Sequence, residues 1–136
     1  MPRLTYEVAQ AIVAAGIAKG AELGVPMSVA VVDEARELVA FGRADGAALV
    51  SIDLAVKKAF TAKSFDLDTA IIGSLTLPGE PIFGFQSSDT RFVTFGGGLP
   101  LADSDGNVVG AVGASGGPVE IDVQVAEAAA VASGVE

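Results

Sequence analysis

Leu4, Val8, Ile12 and Ala15 recur at the spacing of one helix face, with Thr5 placed to cap the start and Gly24 and Pro26 to stop the chain. This predicts a first helix ending near residue 23. The pattern then changes period. Met27 to Val32 is an almost continuous apolar run that reads as a buried strand, Asp33 to Glu37 is a polar turn, and Leu38 to Arg43 reads as a second strand. The two should form a hairpin.

From Ala48 to Lys63 the apolar positions Leu49, Ile52, Val56, Ala59 and Phe60 return to helical spacing, directly after an Asp45-Gly46-Ala47 turn. Asp66 to Ser74 suits a short third helix, and Leu77 to Ser88, with two prolines and two glycines, reads as a mobile loop. Arg91 to Phe95, Leu99 to Ala102 and Val108 to Ser115 read as strands, the last two joined by the turn Asp103-Ser104-Asp105-Gly106-Asn107. Gly116-Gly117-Pro118 opens a last helix to about Ala132, with Pro118 at its first position and Glu120 and Asp122 favourably placed near its positive end.

Short turns between strands cannot serve as parallel crossovers, so the order of elements implies one antiparallel sheet covered by helices, of mixed α/β (α+β) class. A length of 136 residues fits a single domain over 1–136.

Composition narrows the function classes. Hydrophobic residues are 51% of the chain and charged ones 18%, so part of the apolar excess is expected at a homo-oligomer interface. A formal charge of −9 argues against nucleic acid and anionic membrane surfaces as partners. Ala11 to Ala18 is too short to span a bilayer, and the N-terminus lacks a secretion-signal pattern, so a cytoplasmic location is expected. With no cysteine and no histidine, thiolate and imidazole metal sites and Ser-His or Cys-His catalysis are excluded.

The remaining candidate chemistry is sparse. Lys57 and Lys58 point about 100° apart on a helix, so their roles should differ. Asp53 stands four residues before Lys57 and suits a surface ion pair, whereas Lys58 shares a stripe with Ser51, Leu54, Ala55, Thr61 and Ala62 that suits a pocket wall or a close contact. Gly96-Gly97-Gly98 fits no nucleotide-binding spacing, and either a β-bulge or a close approach to the bare backbone would account for it. Arg43 and Asp45, next in sequence to the Lys58 helix, are further site candidates. Asp33, Glu34 and Glu37 read as a solvated turn, Asp103 and Asp105 as hairpin chemistry, and Gly113 to Gly117 as packing at a helix start.

Six segments occur in the order seen in the GlcG/HbpS family, which includes the C-terminal domain of PduO-type proteins. They are Ala30-Val31-Val32-Asp33, Leu38-Val39-Ala40-Phe41, Asp45-Gly46-Ala47, Lys58-Ala59-Phe60-Thr61-Ala62, Phe95-Gly96-Gly97-Gly98-Leu99-Pro100 and Gly110 to Gly117. The chain resembles that family over nearly its whole length. The resemblance implies a five-stranded antiparallel sheet with flanking helices in a profilin- or PAS-like arrangement, an oligomer, and a small-ligand pocket; some relatives bind heme. Two departures stand out. The hairpin turn reads Glu34-Ala35-Arg36-Glu37 where relatives usually carry a glycine, and no histidine is available as an axial ligand, leaving Tyr6, Met27, a lysine, Thr61 or water.

Three functions follow as expectations. The first is a small-molecule-binding domain for heme, another tetrapyrrole or a flat anion, with Arg43, Asp45, Lys58, Thr61, Gly96, Gly97, Gly98 and Leu99 lining the pocket. The second is a cofactor-independent isomerase, dehydratase or lyase using Asp45 and Lys58 as proton-transfer groups or Lys58 as an amine nucleophile. The third makes these residues interface elements of an assembly without a ligand.

Overall fold

The structure, a computed structural model, describes residues 4–133. Its elements run α1 (Tyr6–Glu22), β1 (Ser28–Asp33), β2 (Leu38–Arg43), α2 (Val50–Phe65), α3 (Thr69–Ser74), a 3-10 turn at Phe85–Ser88, β3 (Gly98–Ala102), β4 (Val108–Ser115) and α4 (Val119–Val131). The strands form one antiparallel sheet in the order β2-β1-β4-β3.

Side chains alternate across the two central strands. Val29, Val31, Val112 and Ala114 meet Ile12 and Val13 of α1 and Val125, Ala126 and Ala129 of α4, while Val32 and Ala111 meet Ala59 and Ala62 of α2. Both faces of β1 and β4 are therefore covered, which explains why β1 reads as an unbroken apolar run rather than an alternating one. The start of α1 follows local chemistry: the Thr5 hydroxyl accepts from the Val8 amide at 3.1 Å, as expected of a cap. Pro118 caps α4 from outside instead of occupying its first helical position.

The sheet has four strands among the described residues, not five. Arg91 to Phe95 does not join it, because the Val93 amide is taken by the Thr61 hydroxyl of α2 at 3.0 Å instead of by a neighbouring strand. Pairing begins at Gly98, opposite Gly113. Aromatic contacts bind the 85–92 segment to α2. Phe85 and Phe92 lie 4.9 Å apart between ring centroids, Phe65 and Phe85 5.1 Å, and Phe60 and Phe92 5.8 Å.

The β1–β2 turn is shaped by Asp33, whose carboxylate accepts from the amides of Ala35 (2.8 Å) and Glu37 (3.0 Å). Arg36 takes a left-handed conformation there, φ 67°. That region costs a non-glycine residue on the order of 1 kcal/mol or more.

Candidate functional site

Lys58 and Lys57 have different fates, as helical geometry requires. The Lys58 side chain is 0% exposed. Its ammonium leaves the α2 layer, donates to the Ala114 carbonyl of β4 at 3.0 Å and to Asp122 of α4 at 2.7 Å, and lies 5.3 Å from the Phe95 ring centroid. Asp122 uses its other oxygen to accept from the Gly117 amide at 3.0 Å. The amide that precedes α4 is thus served by an internal carboxylate, consistent with a packing role for this turn. Burial pushes the Lys58 ammonium below the usual 10.5, outweighing the opposing pull of Asp122.

The glycine segment packs against this lysine. A Cβ on Gly97, whose φ is +125°, would lie 2.7 Å from the Lys58 Nζ and 2.7 Å from the Ala114 carbonyl; one on Gly98 would strike the Lys58 carbonyl. The bare backbone is needed for the approach of α2 itself. A Cβ on Gly96 would lie 2.7 Å from Val123 of α4. Leu99, half-buried, follows in β3 and packs against the main core. One turn after Lys58, the Thr61 hydroxyl donates to the Lys57 carbonyl at 2.8 Å and holds the Val93 amide.

Lys58, Thr61 and Gly96 to Leu99 are therefore gathered along α2 and the start of β3. Arg43 and Asp45 are not part of that group. Arg43 is exposed and donates to the Ala47 carbonyl at 3.4 Å, and Asp45 edges a separate hollow of about 270 Å³ with Ile17, Ala21 and Val25. No ion pair or hydrogen bond joins Asp45 to Lys58, nor Asp53 to Lys57, among the described residues.

An open cleft lies on the other side of α2, where Lys57 emerges. It holds 260 Å³ and is bounded by Arg36, Glu37, Val56, Lys57, Phe60 and Arg91. Phe60, 5% exposed, forms its floor. The Arg36 guanidinium carbon lies 4.6 Å from the ring centroid and that of Arg91 4.3 Å, both within the range of cation–π attraction. Arg36 also donates to the Ser64 hydroxyl at 3.2 Å, and Arg91 is gripped by Asp89 through two side-chain bonds of 3.0 and 2.7 Å. That grip holds the Asp89 carboxyl down at about 2. Three of the chain's eight basic residues meet here against Glu37 and Asp89, leaving one positive charge in excess on a protein of net charge −9.

In the sequence Lys57 reads as the surface partner of Asp53, Arg91 as the start of a strand, Phe60 as an apolar position of the second helix and Arg36 as part of the polar hairpin turn. Its one available signal was an arginine in a tight turn where glycine is the cheaper residue.

The donor set bears on heme. Met27 is fully buried and Lys58 is committed to Asp122. Tyr6 is on α1, where its hydroxyl accepts from Gln10, and borders a separate groove beside Val13 and Phe41. The basic cleft offers cations to the acid groups of a porphyrin, but its lining supplies no imidazole, thiolate, thioether or phenolate for the iron.

A four-stranded antiparallel sheet with helices on both faces, and a basic cleft floored by a phenylalanine, define a small mixed α/β domain. The chain belongs to the family described as "Haem degrading protein HbpS-like", which matches residues 4–131. It is similar to an uncharacterized 15.0 kDa protein of the dhaT-dhaS intergenic region of Citrobacter freundii, at 39% identity over 93% of this chain and 89% of that protein. It is 35% identical to the corrinoid adenosyltransferase PduO of the same organism over 97% of this chain, yet spans only 39% of PduO. Among solved structures, that of a PduOC:heme complex matches with a TM-score of 0.90 and 35% identity, covering 95% of this chain and 94% of the other. No helix among the described residues is long and apolar enough to cross a membrane.

Proposed function

We propose that this protein binds a flat, anionic small molecule, with heme or another tetrapyrrole as the leading class, in the cleft over Phe60. The observation that carries this reading is the convergence of Arg36, Lys57 and Arg91 on one aromatic floor. The acidic edge of such a molecule can enter the cleft, where its carboxylates take the N–H edges of guanidinium planes already fixed against Phe60. The heme complex of the PduOC relative supports the ligand class.

Because the cleft offers cations but no iron donor, recognition runs through ring and acid groups. Metal-free protoporphyrin and heme should then bind with similar affinity, and bound heme should lack the Soret shift of a histidine or thiolate ligand. Parallel absorbance and fluorescence titrations test this. Heme binding more than tenfold tighter than the metal-free ring would sink it.

A homo-oligomer belongs to the same reading. Exposed Leu49, Val50, Leu77 and Phe83 are apolar surface that a second copy could cover, and light scattering measures the assembly size.

A further inference from the structure

We infer that the cleft over Phe60 is a carboxylate-binding site for a small planar acid, and that Arg36 is the residue that sets this specificity. The inference deepens the ligand-binding reading just given and rests on it. Its first support is size. At 260 Å³ the cleft sits just below the usual range for ligand pockets, which begins at about 300 Å³. Such a space accepts one ring and its acid group; a macrocycle would enter by its acidic edge alone.

The second support is conformational. Arg36 holds φ 67° in a turn that is held by backbone and Asp33 bonds rather than by its side chain: the Arg36 amide bonds the Asp33 carbonyl at 3.0 Å, and the Asp33 carboxylate serves Ala35 and Glu37. A glycine would take this backbone without strain. Placing an arginine there is costly to the fold, and what it provides is a guanidinium laid over Phe60 at the mouth of the cleft. Strain retained beside a cavity points to use of the side chain.

The third support is the division of labour between the two arginines. Arg91 spends Nε and one terminal nitrogen on Asp89, whereas Arg36 spends one nitrogen on the neutral Ser64 hydroxyl. Arg36 keeps the larger free share of its donors, and Lys57 adds an unpaired ammonium on the same wall. Glu37 is the acidic group that lines the cleft with them and favours ligands of low charge over polyanions.

The test uses the full chain and two isosteric probes, benzoate and benzamide, followed by amide chemical shifts. Benzoate should saturably shift residues 35–38, 56–60 and 91; benzamide should not. Arg36→Gly, which removes the guanidinium and relieves the positive φ, should weaken benzoate at least tenfold without lowering the melting temperature. Arg36→Gln gives the same affinity readout should the glycine variant fold poorly. Equal binding of the two probes, or unchanged benzoate affinity in the Arg36 variants, would overturn the inference. Porphyrin binding at the cleft without benzoate binding overturns this inference alone. Benzoate binding without porphyrin binding upholds it and removes the tetrapyrrole from the proposed ligand class.

Discussion

Lys57 and Lys58 are neighbours in sequence, yet the two sides of α2 they mark are built on opposite principles. On the Lys58 side the buried charges are paired internally: the ammonium holds Asp122 and a carbonyl, Asp122 holds an amide, and glycines press their backbone against the helix. On the Lys57 side charges sit around an open cleft with donors to spare. The first arrangement locks layers together. The second leaves free energy to be gained from a ligand.

The sharpest way to break this contrast is to unpair the buried charge. Lys58→Met leaves Asp122 without its partner and should cost about 3–5 kcal/mol, measured by urea unfolding. Replacing both, as Lys58→Met with Asp122→Leu, should recover most of that loss, since a well-packed apolar pair is often neutral or better. If the folded double variant still binds ligand as the wild type does, the two sides are separable. If it loses binding while remaining folded, Lys58 has a role beyond packing.

Gly97→Ala follows in size. Its Cβ would meet both the Lys58 ammonium and the Ala114 carbonyl at a positive φ, so a loss of about 1–3 kcal/mol is expected in thermal melts. Thr61→Val joins the two regions, because it leaves the buried Val93 amide without its acceptor and loosens the segment that carries Arg91. A loss of about 1–3 kcal/mol and a severalfold weaker ligand affinity should appear together.

Stability should also depend on alkaline pH through Lys58. Its native proton affinity is depressed, so between that value and the usual 10.5 the unfolded chain binds the proton more readily than the native one. Folding stability attributable to this group therefore rises with pH across that window. The slope should be smaller in the Lys58→Met, Asp122→Leu variant, as read by unfolding at a series of pH values. The smallest effect on stability belongs to the open side. Lys57→Gln should change folding by less than about 0.5 kcal/mol while weakening anionic ligands severalfold in calorimetric titrations.

The periodic segments made the helices and the β1, β2 and β4 strands legible, because hydrophobic spacing and burial coincide there. The fifth strand did not survive, since the apolar run around Val93 looks the same whether its amide meets a strand or a threonine hydroxyl. The division between Lys57 and Lys58 was visible from 100° of helix rotation alone. The partner of Lys58 was not. Asp122 lies 64 residues away and reads locally as a favourable first-turn acid. Arg36, Phe60 and Arg91 come from three separate segments, and nothing in any one of them signals that their side chains stack.

The most direct test of the cleft is a fluorescence titration of metal-free protoporphyrin into the wild type and into the triple variant Arg36→Gln, Lys57→Gln, Arg91→Gln. Saturable binding by the wild type and at least tenfold weaker binding by the folded triple variant is the expected result. Equal binding by the two proteins would contradict it and place the ligand elsewhere on the molecule.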